Sequence, residues 1–202
     1  MTTSINKILK IKNTYDAPIR LMEILRNRTE REKVFKKMLE LFNHKLDFDW
    51  FNEYFQKSFT DQKDGQVFTP THTADLLSEL SLGIKGHSLD PCAGTGALII
   101  SDWNRIHQKK DYKPSDYVYI CIELSDNMIP FLIFNLAVRG ITAIVIHGDM
   151  ITRESKGAFL ILNEQDKPEN FSIINSLPYF KATEEMLGFK FTVEKYPHQF
   201  EF

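Results

Sequence analysis

The pattern of apolar and polar positions divides the chain into two parts with different periodicities. Between Leu21 and Leu25, and again from Val34 to Phe42, apolar side chains recur every three or four positions, which is the spacing of amphipathic helices. A third, aromatic-rich piece runs from Phe48 to Phe59. The polar stretch from Thr60 to Gly65 then breaks the pattern. The sequence therefore predicts a helical region over residues 1–62.

After that stretch, short runs of β-branched and aromatic residues alternate with longer helical runs. The predicted helices cover 73–82, 97–106 and 126–139, and the predicted strands cover 88–90, 117–122, 143–146 and 171–174, with a further short strand within 188–193. Near-continuous apolar strands separated by helices are typical of a parallel sheet that is covered on both faces. The sequence predicts an α/β, Rossmann-like domain over residues 63–202.

The chemistry of such a sheet is expected beyond the carboxyl ends of its strands. Three predicted strands each end in an acidic residue, namely Asp90, Glu123 and Asp149. The glycine-bearing turn from Asp90 to Gly96 lets the backbone pass close to a ligand. Glu123 can accept both hydroxyls of a ribose, and Asp149 can accept from an exocyclic amine. These positions predict a pocket for an adenosine whose sugar lies between the first two strands.

The residues in and after the glycine turn indicate which class of nucleoside the pocket would bind. An enzyme that binds a dinucleotide usually carries a third glycine at the position where this chain has Ile99. The acidic residue Asp90 at the start of the turn also disfavours a negatively charged pyrophosphate. A cationic sulfonium nucleoside suits Asp90 better, which leaves a nicotinamide oxidoreductase as a distant alternative. The alternative interpretation is purely structural: the glycines form an ordinary tight turn, and the acidic residues cap helices.

The composition indicates the class of protein and the cellular compartment to expect. Hydrophobic residues make up 43% of the chain, enough for a sizeable core. No apolar run reaches the roughly 18 residues of a membrane helix, and the N-terminus lacks a signal-peptide centre. Cys92 and Cys121 stand apart, without the spacing of a zinc site or a disulfide framework. We expect a cytoplasmic protein without a metal site or membrane contact.

The net charge of −2 hides an asymmetry. Residues 1–40 hold ten Lys and Arg against five Asp and Glu, whereas the other 162 residues hold fifteen basic and twenty-two acidic side chains. The basic segment is either a solvated helical face or a surface for an anionic partner such as nucleic acid.

Two segments resemble one enzyme family. The turn Asp90-Pro91-Cys92-Ala93-Gly94-Thr95-Gly96-Ala97-Leu98 and the segment Gly65-Gln66-Val67-Phe68-Thr69-Pro70 are similar to motifs of adenine-N6 DNA methyltransferases. The likeness is closest to the modification subunits of type I restriction systems. It implies a Rossmann-like methyltransferase fold that uses S-adenosylmethionine. It also implies cofactor-binding roles for Phe68, Thr69, Pro70, Asp90, Pro91, Cys92, Ala93, Gly94, Thr95, Gly96, Glu123, Leu124, Asp149 and Met150.

The resemblance weakens at the catalytic motif. In these enzymes, N-P-P-[YF] follows the fourth strand; its Asn and the next carbonyl accept from the target amine, and the aromatic ring stacks on a flipped base. This chain has Asn175-Ser176-Leu177-Pro178-Tyr179, with the Asn one position early. The resemblance implies Asn175, Pro178 and Tyr179 as catalytic residues. A bulge would let Asn175 reach the amine; otherwise the site is degenerate, or Asn175 starts a turn and Tyr179 is a packed aromatic.

The resemblance also sets expectations about partners. With 23 residues after Tyr179, we expect a fold shortened at its C-terminal end, without room for a target-recognition domain. The leading hypothesis is a DNA adenine-N6 methyltransferase of the restriction–modification or mobile-element type, with DNA as substrate and a specificity subunit or a second copy as partner. The alternative is a catalytically degenerate cofactor-binding protein that acts through partners.

Overall fold

The computed structural model describes residues 1–59, 69–80 and 85–196. The helices in these ranges are α1 (Thr2–Leu9), α2 (Ala17–Arg26), α3 (Arg28–Leu41), α4 (Asn52–Phe59), α5 (Thr71–Leu80), α6 (Ala97–His107), α7 (Ile129–Val138) and α8 (Lys181–Leu187). The strands are β1 (Gly86–Asp90), β2 (Tyr117–Glu123), β3 (Thr142–Asp149), β4 (Glu154–Leu162), β5 (Ile173–Ser176) and β6 (Lys190–Phe191). Within this described part, no helix has the length and apolarity needed to cross a bilayer.

The strands form one mixed sheet in the order β1-β2-β3-β4-β5, with β6 beside the start of β4. The prediction of a Rossmann-like α/β fold is confirmed. Strands β1, β2 and β3 are parallel, as predicted, and place Asp90 beside Cys121 and Glu123 beside His147. The expectation of a parallel sheet is wrong for the C-terminal part, because β4 turns back on β3 as an antiparallel hairpin and β5 turns back on β4.

The N-terminal helices share one apolar core with the sheet. Helix α7 is buried along its whole length, and α2 packs against it. The ring of Phe35 from α3 meets Phe134 of α7 edge to face, with centroids 4.7 Å apart, and Phe51 meets Phe131 at 4.8 Å. The predicted helical region is therefore present but continuous with the sheet's core. Its predicted boundary at residue 62 lies outside the described residues.

A buried guanidinium at the end of α7 attaches the helical region to the sheet. Arg139 is 1% exposed and donates to the carbonyls of Leu46 (2.8 Å) and Phe48 (2.6 Å) and to the Asn135 side chain. It also lies over the Trp50 ring, 4.9 Å from its centroid. Burial lowers the pKa of Arg139 to about 9, still well above neutral pH, so the group stays charged.

We expect an Arg139→Leu substitution to destabilise the whole protein. The change leaves the carbonyls of Leu46 and Phe48 without their donor, at about 1–3 kcal/mol for each buried unpaired group. The unfolding free energy from chemical denaturation should fall by about 3–5 kcal/mol. The exposed Arg28, which pairs with Glu32 on the surface of α3, provides the control, since Arg28→Leu should cost under about 1 kcal/mol. Equal losses for the two variants would contradict this role of Arg139.

Candidate cofactor site

The turn between β1 and α6 requires glycine at two positions. Gly94 and Gly96 have φ angles of 56° and 97°, in the left-handed region that other residues rarely adopt. A Cβ at Gly96 would also lie 3.1 Å from Cδ1 of Leu132. At the head of the turn, Asp90 Oδ1 accepts from the backbone N–H of Cys92 at 3.1 Å. The backbone of this turn is thereby held close to the end of β1.

Glu123 joins this turn to the end of β2. Its Oε2 accepts from the N–H of Gly94 at 2.8 Å, and its Oε1 accepts from the N–H of Ser125 at 2.7 Å. Burial raises the pKa of Glu123, and these two hydrogen bonds partly oppose that effect. Burial likewise raises the pKa of Asp90. Two carboxylates that are costly to keep charged therefore lie at neighbouring strand ends.

The helical region contributes the other support of the turn. The Thr95 hydroxyl donates to Asp49 Oδ2, and the Asn135 amide donates at 2.8 Å to both Asp49 Oδ1 and the Thr95 carbonyl. Burial raises the pKa of Asp49, while these bonds and Arg139 oppose the rise. Sequence reasoning missed Asp49; the available signal was a single acid between the aromatic residues Phe48 and Trp50.

A cavity of about 200 Å³ opens over the turn. Its walls include seven of the predicted cofactor residues: Thr69, Asp90, Cys92, Ala93, Gly94, Thr95 and Glu123. Asn52 and Met128 also line it and were not predicted. Asn52 donates its side-chain amide to the carbonyl of Thr69 at 3.1 Å, which ties α4 to the residues before α5. The structure thus gathers these residues around one polar cavity at the carboxyl ends of β1 and β2.

Comparison with known proteins identifies the family. The model of the N-6 DNA methylase family matches residues 43–194. The chain belongs to the N-6 DNA methylase family. No curated protein and no solved structure gives a significant match. The matched range begins within the helical region, before the predicted boundary, and includes Asp49, Asn52 and the whole cavity. Membership supports a general function in adenine-N6 methylation of DNA.

Several of the predicted cofactor residues of this family member lie outside the cavity wall. Pro91 lines a neighbouring cavity, and the carbonyl of Pro70 accepts from the first turn of α5. Gly96 caps α6 at its N-terminus, and Leu124 is 58% exposed. Phe68 lies outside the described residues.

The residues predicted to bind the adenine ring, Asp149 and Met150, do not line the cavity. Asp149 Oδ1 accepts from the N–H of Ile151 at 2.7 Å and so organises the turn after β3, while Met150 packs against a small cluster with Ile122 and Ile146. Neither residue lines the cavity, so their roles toward an adenine ring stay predictions.

The structure does not bring Asn175, Pro178 and Tyr179 to the cofactor turn. Strand β5 pairs with β4, so three strands lie between it and β1, a separation of about 19 Å at normal strand spacing. Tyr179 Oη donates to the carbonyl of Lys156 at 3.1 Å and accepts from the N–H of Tyr196 at 2.8 Å. These contacts fit the packed-aromatic interpretation. The physical reason is the β4–β5 hairpin, which carries the segment away from β1.

A buried histidine beside the site was also missed by sequence reasoning. The side chain of His147, on β3, is fully buried; its Nδ1 bonds to the Tyr196 hydroxyl, and its Nε2 lies 2.8 Å from Asp126 Oδ1. Asp126 Oδ1 is also 2.8 Å from the ammonium groups of Lys156 and Lys195. Burial lowers the pKa of His147 to about 4, so the ring is neutral at neutral pH. This cluster joins the end of β3 to the residues after β6.

The lowered pKa predicts a loss of stability in weak acid. In the unfolded chain the ring takes a proton near pH 6.5, whereas in the folded protein it does so only near pH 4. The stabilisation is therefore complete above about pH 6.5 and is lost as pH falls toward 4. When pH falls from 7 to 4.5, protonation of His147 in the unfolded chain should lower the unfolding free energy of the wild type by about 2 kcal/mol.

The measurement is denaturant unfolding at several pH values for wild type and for His147→Gln. Glutamine places a hydrogen-bonding amide where histidine has its imidazole, and the amide does not titrate. Subtracting one curve from the other removes the common contribution of the acidic residues. We expect the difference between the two proteins to shrink by about 2 kcal/mol over this pH range. Parallel curves would show that His147 is not held neutral.

Proposed function

We propose that this N-6 DNA methylase family member binds S-adenosylmethionine in the cavity at the ends of β1 and β2. It would act as the cofactor-binding chain of a cytoplasmic DNA adenine-N6 methyltransferase of the restriction–modification or mobile-element type. The observation that carries the proposal is the bonding of Glu123 to the backbone of the Gly94–Gly96 turn, with Asp90 beside it.

The chemistry of the cavity suits a cationic nucleoside. Each oxygen of Glu123 accepts one backbone N–H, and a carboxylate has about four lone-pair sites, so capacity remains for two ribose hydroxyls. Burial disfavours the charged forms of Asp90 and Glu123, and a sulfonium cation nearby would restore part of that loss. The cofactor itself would supply an activated methyl group. Asp90, Glu123, Asn52 and Thr69 would hold and orient it.

Two versions of this function differ in where the target adenine is held. In the first, Asn175, Pro178 and Tyr179 hold it and the chain transfers the methyl group alone. In the second, a partner chain supplies the target-holding group, either a specificity subunit or a second copy. The three strands between β5 and β1 support the second version. They equally support a degenerate protein that binds cofactor and acts through partners.

The basic N-terminal segment gives only modest support for DNA contact. Arg20 pairs with Glu23 and Glu30, Arg28 pairs with Glu32, and Arg31 is buried and donates to the carbonyl of Leu25. Part of the positive charge is therefore neutralised within the helices. We propose DNA as the substrate on the basis of the family, not of this surface.

Cofactor binding is tested by calorimetry with S-adenosylmethionine. We expect Glu123→Gln to weaken binding about 10- to 100-fold, because the variant loses charge-assisted hydrogen bonds worth about 1.5–3 kcal/mol. Glu169→Gln, in the exposed loop before β5, provides the matched control and should bind as wild type does. Circular dichroism would check that both variants fold. Unchanged affinity in folded Glu123→Gln would remove Glu123 from the site, and no binding by wild type would refute the proposal.

Methyl transfer is tested with tritium-labelled cofactor and adenine-containing DNA. We expect the chain alone to transfer little label, and Asn175→Ala to behave like wild type in cofactor binding and in transfer, because Asn175 lies away from the cavity. Robust transfer by wild type that Asn175→Ala abolishes would instead establish the first version, with Asn175 at the catalytic centre.

A further inference from the structure

A cavity of about 380 Å³ lies between helix α2, the start of α7 and the residues after β6. A volume of this size is usual for a site that binds a small molecule. The cavity shares no lining residue with the cofactor cavity, so it is a separate site. We call it the α2–α7 pocket, and its wall includes Pro18, Ile19, Met22, Arg26, Pro130 and Tyr196.

Part of the wall is apolar and rigid. Pro18 and Pro130 are buried in the first turns of α2 and α7, where the fixed φ angle of proline suits the start of a helix. Ile19 and Met22 continue the apolar wall along α2, and Ile19 is 70% exposed. Because α2 packs against α7, the two sides of the pocket are held at a fixed spacing.

The charged side chains of the wall are paired, with one exception. Glu23 lies 2.9 Å from the guanidinium of Arg20, and Asp126 Oδ1 lies 2.8 Å from the ammonium of Lys195. The side chain of Arg26, at the end of α2, has neither an ion pair nor a hydrogen bond within the described part of the chain, and its Nε is buried. Buried donors in native proteins normally have acceptors, so Arg26 indicates an acceptor from outside this chain.

A carboxylate is the acceptor that suits this position. The planar guanidinium of an arginine can donate two parallel hydrogen bonds to the two oxygens of a carboxylate. A multiply charged phosphate suits it less well, because Glu23 and Asp126 place two acidic groups in the same wall. The apolar residues beside Arg26 favour a ligand that is apolar away from its charged end.

We propose that the α2–α7 pocket binds a small molecule with an apolar body and a single carboxylate. Arg26 holds the carboxylate through Nε and one terminal nitrogen. Ile19, Met22 and Pro130 contact the apolar body. Recognition therefore needs both parts of the ligand, the charge for Arg26 and the apolar surface for the wall.

The test is an NMR titration of the whole protein, labelled at its isoleucine and methionine methyl groups, with phenylbutyrate and with phenylbutanamide. The amide has nearly the same shape but no charge. We expect the acid to shift the methyl signals of Ile19 and Met22 and to bind at least tenfold more tightly than the amide. Arg26→Gln should weaken binding of the acid at least tenfold, because the charge-assisted hydrogen bonds are lost. Arg28→Gln, which removes the exposed arginine that pairs with Glu32, is the matched control and should bind as wild type does.

A second pair of variants tests the apolar wall. Ile19→Asp should weaken binding of phenylbutyrate at least tenfold, since it places a like charge beside the ligand. Met186→Asp, on α8, makes the same change outside the pocket and should not alter binding. Ile19 and Met186 are 70% and 65% exposed, so both variants should keep the fold, which circular dichroism would check.

Other outcomes would overturn the proposal. Equal affinity for the acid and the amide, or equal affinity of Arg26→Gln and Arg28→Gln for the acid, would reject carboxylate recognition by Arg26. Unshifted Ile19 and Met22 signals would reject the pocket as the binding site, and tighter binding of inorganic phosphate than of phenylbutyrate would reject the ligand class. Calorimetry of Arg26→Gln with S-adenosylmethionine separates this site from the cofactor site, because cofactor affinity should persist when the carboxylate site is lost.

Discussion

The buried guanidinium of Arg139 is the constraint on which the arrangement of this protein depends. It holds the carbonyls of Leu46 and Phe48 at the end of α7, and so fixes the segment that carries Asp49. Asp49 and Asn135 in turn hold Thr95 in the glycine turn. A charge buried in the core is stable only when its donors all find acceptors. The backbone of the helical region supplies two of these acceptors and Asn135 of α7 supplies the others, which makes the helical region part of the site.

A similar use of hydrogen-bond partners is visible at the cofactor cavity. Glu123 uses one hydrogen bond per oxygen to join two strand ends, and keeps acceptor capacity for a ligand. Asp90 uses one oxygen for the turn and leaves the other without a described partner. The site therefore has a preformed frame, and its two carboxylates keep acceptor capacity that the proposed nucleoside would use.

The C-terminal part of the sheet explains why family membership and local geometry point in different directions. The N-6 DNA methylase match extends to residue 194, across the segment that resembles the catalytic motif. Yet the β4–β5 hairpin carries Asn175 and Tyr179 to the side of the sheet opposite β1. Within the described chain, the segment around Asn175 and the glycine turn beside Glu123 therefore lie at opposite ends of the strand order.

The sequence by itself determined the features that depend on near neighbours in the chain. Helical spacing, the runs that form β1, β2 and β3, the acids at their ends and the glycine turn are all local, because periodicity and backbone conformation act over a few residues. Tertiary structure alone decided the hydrogen bonds by which Arg139 holds the segment that carries Asp49. It also decided the burial that keeps His147 neutral and the side of the sheet on which β5 lies. These depend on contacts between segments far apart, such as Asn135 with Asp49. Local patterns carry no signal for which distant strand pairs with which, and here that pairing separates the motif at Asn175 from the cavity beside Glu123.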